Sequence, residues 1–119
     1  NVEWIMQQNP DVILGQTYSG GYATNDYAPL VAHHDELATM PVLQDVQAVK
    51  NDRVYCISYK FGTGPSYPAA LATTAKWFYP ERFTDIDPAA IHQDYIDTFL
   101  NVDYSVADHG VFGHPGEGP

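Results

Sequence analysis

Apolar positions along this chain change their spacing several times, and each change marks an element. In residues 2–8, Val2, Ile5 and Met6 share one helical face with Trp4 beside them. Asn9-Pro10 ends that helix, because the residue before a proline is pushed out of helical geometry. Asp11-Val12-Ile13-Leu14-Gly15 is then a continuous apolar run, the form of a strand buried on both faces. Residues 16–26, "QTYSGGYATND", lose all periodicity and read as loop. Helical spacing returns over residues 27–39, with Leu30, Val31 and Leu37 as its stripe. It appears again after Pro41, where Val42, Leu43, Val46 and Val49 repeat. Asn51-Asp52 breaks the pattern, and residues 53–58, "RVYCIS", form a second strand.

Beyond Cys56 the stretch "CISYKFGTGPSYPAA" passes from strand to glycine-rich bend to alanine-rich helix. The spacing predicts a helix over residues 68–79, with Ser66 as N-cap and Leu71, Ala72, Ala75 and Phe78 facing inward, and Pro80 ends it. A last helix over residues 88–100 starts on Asp87-Pro88 and carries the stripe Ile91, Tyr95, Ile96 and Phe99. Residues 105–119 have little pattern and read as a tail or an extension packed elsewhere. Strands separated by helical crossovers imply an α/β fold with a short parallel sheet flanked by helices. Two strands are few for such a sheet: either others go unread or the chain lacks its neighbours, and we favour the second.

Composition narrows the function. The chain has 119 residues, so it holds one domain at most, and its 45% hydrophobic content is that of a globular protein. Fifteen acidic side chains against five basic ones give a formal charge of -10, which argues against nucleic acid as a partner. The scattered acids read first as a solvated surface and second as a docking face for a basic partner. The lone cysteine, Cys56, excludes an internal disulfide and reads as a buried, inert thiol.

Phosphate and metal chemistry fare poorly. Gly62-Thr63-Gly64-Pro65-Ser66 lacks the Gly-Lys-Ser/Thr ending of a nucleotide loop, and its lysine precedes the glycines. His33-His34-Asp35-Glu36 gathers four metal-ligand types, but neighbours on a helix diverge by about 100° and cannot all converge. His92 reads as a surface residue, and His109 and His114 fall in the tail. No HExxH pair or Gly-x-Ser-x-Gly elbow is present, so no metal site, catalytic residue or resident cofactor is expected.

Three segments together carry a resemblance. "VEWIMQQNPDVILG" is similar to a helix ending at Asn-Pro-Asp before a buried strand. "VLQDVQAVKNDRVYCIS" is similar to a helix followed by Ala-Val-Lys-Asn-x-Arg-Val-Tyr and a second strand. "GPSYPAALATTAKWFYPERFTDIDPAAIHQDYIDTFLNVDY" is similar to closing helices in which Lys-Trp-Phe-Tyr-Pro-Glu precedes Asp-Pro. In order and spacing these resemble the C-terminal lobe of periplasmic-type solute-binding proteins of ABC importers, the branch taking up iron-siderophore, haem or cobalamin-type complexes. The resemblance spans residues 2–104.

It implies a single three-layer lobe, half of a two-lobe fold whose ligand sits between lobes. It also implies a non-enzymatic role, an extracytoplasmic location and a membrane permease as partner. The N-terminal lobe, the joining helix and a lipid-attachment cysteine are not in the sequence, so the chain reads as part of a larger, lipid-anchored protein. Ligands of open α/β sheets sit beyond the carboxyl ends of the strands. That rule and the resemblance select the same two loops, whose aromatic and cationic residues are Tyr18, Tyr22, Tyr59, Lys60 and Phe61, with Tyr27 and Tyr67 at the ends. The resemblance further implies acidic docking residues for the permease, for which Asp35, Glu36 and Asp45 are the candidates. An unpaired sheet edge makes a homodimer of the isolated lobe a further expectation. Two other readings remain open: a metal-handling or cofactor-related enzyme domain on the same fold, and an acidic protein-interaction module.

Overall fold

Asn9 and Pro10 join two helices to the first strand. In the computed structural model, which describes residues 1–115, Asn9 adopts the left-handed conformation (φ 47°) and closes α1 (Val2–Gln8). Its side-chain oxygen accepts the Gln47 amide at 2.9 Å, and the Pro10 carbonyl accepts the Ala48 amide at 3.0 Å. The turn thereby satisfies amides that α3 (Gln47–Lys50) cannot bond internally. Around it Leu43, Val46 and Ala48 form a small core that Ile5 and Ile13 help to cover. The helix expected after Pro41 is thus two short pieces, a 3-10 turn Pro41–Leu43 and α3.

Strand β1 (Ile13–Thr17) pairs in parallel with β2 (Val54–Ser58), in a register that sets Ile13 against Val54 and Thr17 against Ser58. The crossover between them contains α2 (Ala28–Thr39), which packs on the sheet over Gly15. A Cβ at Gly15 would lie 2.6 Å from Leu37 Cδ1 and 3.1 Å from Cys56 Sγ, so glycine sets the spacing of helix and sheet. The two strands differ in burial. β2 is central and almost wholly buried, whereas β1 alternates between half-buried and exposed. β1 lies at the end of the β1-β2-β3 order, and the expectation that both its faces are covered fails: α2 packs on the face of Gly15, while Leu14 and Gln16 on the other face are exposed.

After β2 the chain enters α4 (Tyr59–Thr63) directly, where a glycine loop was expected, and then α5 (Tyr67–Phe78). The motifs around α5 hold its C-terminal end. Arg53 Nη2 donates to the Phe78 carbonyl at 2.7 Å, and the Tyr55 hydroxyl donates to the Trp77 carbonyl at 3.3 Å. The Tyr55 and Trp77 rings stack 13° from parallel. These donors satisfy carbonyls that the last helical turn leaves open. The buried face of α5 is Ala69, Ala70, Ala72 and Thr73; of the expected stripe Ala72 is buried, Ala75 and Phe78 are half-buried, and Leu71 is exposed.

The expected stripe also holds only in part in α6 (Pro88–Tyr95), opened by Asp87, whose carboxylate accepts the Ala90 amide at 3.1 Å, and continued by a π-helical turn Ile96–Leu100: Ile96 is buried and Tyr95 packs on the core. Pro88, His92 and Ile96 are buried, while Ile91 is exposed and Phe99 is 75% exposed. Residues 105–115, expected as a tail or extension, return to the sheet. Gly113–His114 form β3, antiparallel to β2, and Val106, Val111 and Phe112 enter the core. The sheet is therefore mixed, and the molecule is α/β with helices on the sheet. Residues 116–119 of the expected tail lie outside the described residues. No helix among the described residues is long and apolar enough to cross a membrane.

Candidate functional site at the strand ends

Parallel pairing in register brings the ends of β1 and β2 side by side. Thr17 faces Ser58, so the next residues, Tyr18 and Tyr59, emerge together. Their ring centroids are 4.9 Å apart at 43°. Tyr18 is 79% exposed and Tyr59 is also exposed, so this aromatic pair lies open to solvent. Lys60 follows on the first turn of α4, exposed, with no ion-pair partner among the described residues. Its aliphatic stem runs past Gly21, where an added Cβ would lie 3.2 Å from Lys60 Cδ. Tyr67, the first residue of α5, is exposed as well.

The other two aromatic residues expected here turn inward. Phe61 is 2% exposed and packs in the main core with Ile57, Ala69, Ala70, Ile96, Val106 and Phe112. The short α4 is the reason: it turns Phe61 under the edge while Lys60 faces out. Phe61 therefore belongs to the support of the site, contrary to expectation. Tyr22 keeps part of its ring at the surface but directs its hydroxyl inward, 2.6 Å from His92 Nε2. Its ring meets Phe112 and Tyr104 edge-on. Burial pushes the phenol's pKa up, an effect partly offset by the Ser66 hydroxyl. Ser66 itself stands before α5 without capping it through its side chain.

His92, read from the sequence as a surface residue, is 3% exposed. It lies in an aromatic cage, stacked on Phe61 at 5.0 Å and edge-on to Phe112 at 4.6 Å. Burial lowers its pKa from 6.5 to about 4, so it is neutral at ordinary pH. Ser58 is the second residue the sequence reading missed. Its hydroxyl is buried at the end of β2 with no hydrogen-bond partner among the described residues. Gly20 roofs it: a Cβ there would lie 3.2 Å from Ser58 Oγ and 2.6 Å from the Val111 carbonyl, and Gly20 has φ +90°. Only glycine fits both the space and the backbone. Next to it, Gly21 and Val111 exchange two backbone hydrogen bonds, of 2.7 and 3.1 Å.

A cavity of about 270 Å³ adjoins this edge, lined by residues 22–25 with Tyr104 and His109. A larger one, about 500 Å³, lies between α6 and residues 102–107 and includes none of the predicted ligand residues. The smaller is the one continuous with the strand-end loops, since Tyr22 belongs to both.

The acidic candidates lie elsewhere. Asp35 and Glu36 are exposed on α2 and contact their own neighbours, His34 at 3.0 Å and His33 at 3.7 Å. Asp45 is exposed, 3.6 Å from Lys50 Nζ. His34 also meets the His114 ring at 5.0 Å. Among the described residues no group of three or more histidine, cysteine or acidic side chains could hold a metal ion. Cys56 is buried between sheet and α2, and burial raises its thiol pKa to about 11, which removes it as a nucleophile at neutral pH.

No protein-family model matches the chain, and no curated protein matches it. Among solved structures it is similar to a TroA-like periplasmic binding protein, FepB from Veillonella parvula, with a TM-score of 0.71 and 28% sequence identity. The match covers 95% of this chain and 34% of that one, so the chain spans about a third of that protein's length. The chain has the α/β fold of a single lobe of a TroA-like periplasmic binding protein.

Proposed function

We propose that the chain is the C-terminal lobe of the substrate-binding component of an ABC importer, which captures an iron chelate, haem or corrinoid-type complex and delivers it to a membrane permease. The observation that carries this reading is the open Tyr18–Tyr59 pair with Lys60 beside it, at the carboxyl ends of two parallel strands. Exposed rings of that size offer flat faces to a macrocycle or catecholate, and the free ammonium suits an anionic ligand. Similarity to a protein named FepB supports the solute-binding class.

In this reading Tyr18, Tyr59, Lys60 and Tyr67 touch the ligand. Tyr22 contributes a ring edge only, its hydroxyl being engaged by His92. Asp35, Glu36 and Asp45, all exposed, are the residues proposed to meet cations of the permease. The location is extracytoplasmic and the role non-enzymatic. Quenching of Trp and Tyr fluorescence on titration with haem, cyanocobalamin and a ferric siderophore tests the ligand class. Saturable quenching by one of them, weakened by Tyr18→Ala and Tyr59→Ala, is expected. A flat response of the two-lobe protein to all three overturns it.

A further inference from the structure

His92 lies at a junction of four segments that are distant in sequence. It belongs to α6. Its Nε2 meets the Tyr22 hydroxyl from the loop after β1, at 2.6 Å. Its ring stacks on Phe61 of α4, the segment after β2, and meets Phe112 beside β3. We propose that His92 is the positioning residue for the strand-end site, acting through Tyr22 and Phe61 to hold the two loops in one arrangement. The proposal rests on the reading that these strand ends face a ligand, but the coupling it asserts exists without one.

Other ties join these loops, among them the Tyr18–Tyr59 ring contact, Phe112 against both Tyr22 and Phe61, and Asn25 with Gly110. Only His92 adds a side-chain hydrogen bond to ring packing on both loops. The loop after β1 passes through two glycines with positive φ, at Gly20 and Gly21, and Gly21 is held by its backbone pair with Val111. Beyond the glycines, Tyr22 is held by its hydroxyl bond to His92 and by the Tyr104 hydroxyl, which donates to the Tyr22 carbonyl at 3.1 Å. On the other side α4 is one short turn whose buried anchor is Phe61. One imidazole therefore bonds the anchor of one loop and stacks on the anchor of the other. An apolar ring there would fill the cage but leave the phenol without its partner, a loss a packing role would not require.

The arrangement gives the coupling a pH range. The titratable groups at the latch are Tyr22 itself, Tyr95 on α6 and Tyr104 on the return segment, the last two interacting with the Tyr22 phenol. Phe61 of α4 and Phe112 beside β3 bring no charge, the Ser66 hydroxyl also bonds the phenol, and burial accounts for the lowered His92 pKa. With neutral His92 and a protonated phenol, the Tyr22 O–H donates to an unprotonated Nε2. Protonation reverses that bond and places an unpaired charge among aromatic rings. The latch is therefore closed near neutrality and opens as pH falls toward about 4.

Amide hydrogen exchange on the ligand-free chain, read as protection factors for residues 18–25, 59–63 and β2, tests this directly. In the wild type both loops lose protection together, about tenfold or more, as pH falls from neutral toward 4, and at every pH they stay less protected than β2. In His92→Gln and His92→Phe the loops are already less protected at neutral pH and their profiles flatten. Tyr22→Phe, which keeps the ring, frees residues 18–25 at neutral pH. The proposal is overturned if Tyr22→Phe leaves those residues as protected as in the wild type, or if the pH profile survives in His92→Gln. Loop protection equal to that of β2 at every pH also overturns it, because the loops then open only with global unfolding. None of these readings uses a ligand, so they fail or succeed independently of the fluorescence titration.

Discussion

Two aromatic groups stand at the same sheet edge and behave oppositely. The outer pair, Tyr18 and Tyr59, is open to solvent with its hydroxyls unengaged by any hydrogen bond among the described residues. The inner group, Tyr22, Phe61, His92, Phe112 and Tyr104, is packed ring to ring and tied by hydrogen bonds. Each loop contributes one member to each group: Tyr18 and Tyr22 follow β1, and Tyr59 and Phe61 follow β2. An aromatic residue in a site loop is thus assigned to contact or to support by the turn that carries it. The inner group gains from burial and pays its polar tips by pairing them. The outer pair leaves its faces for something else.

Substitutions at the two groups should separate them by size of effect. Phe61→Ala removes a ring from the main core, and a loss of about 3–5 kcal/mol in urea unfolding is expected. A loss under about 1 kcal/mol would place Phe61 with the outer pair.

Acid should act on the inner group alone. The folded pKa of His92, about 4, lies below its usual 6.5. Its burial therefore contributes fully above pH 6.5 and is lost as pH falls toward 4, with no further change below. At about 1.4 kcal/mol per pKa unit the loss is at most about 3 kcal/mol. His114, whose pKa is also lowered, adds in the same direction. Urea midpoints measured across this range should fall in the wild type and fall less in His92→Phe.

Tyr22→Phe strands the His92 nitrogen and should cost about 1–3 kcal/mol, read from the same unfolding curves. Tyr18→Ala and Tyr59→Ala should each change stability by only about 0.5 kcal/mol. If the ligand stacks on the pair, either change weakens its binding by about two- to tenfold, as expected for one lost ring contact. Large destabilisation by Tyr18→Ala would erase the distinction between the groups.

Much of this arrangement was legible before the structure. Apolar runs broken by helical spacing led to two parallel strands with crossovers. The rule that ligands sit at carboxyl ends selected the loops that hold Tyr18, Tyr59 and Lys60. Asn9-Pro10 marked its helix end, and Asp87-Pro88 its helix start. These signals are local, because a cap, a turn or a period is written in neighbouring residues.

What the sequence left open depends on distant partners. Strand β3 is two residues in a glycine-rich stretch, and it exists because β2 offers an edge for Cys56 and Ile57 to pair with His114 and Gly113. In α6 the expected stripe of Ile91, Tyr95, Ile96 and Phe99 is right for Ile96, which is buried, and for Tyr95, which packs against the core, but the face also takes in Pro88 and His92 in place of Ile91 and Phe99. Hydrophobicity alone selects Ile91 and Phe99 and passes over His92, which is the residue buried. A histidine reads as polar until a phenol and two phenylalanine rings surround it. Composition and periodicity determined the elements and the edge on which a ligand would sit. Tertiary packing decided which aromatic residues stay open at that edge, because burial is settled by contacts between segments far apart in the chain.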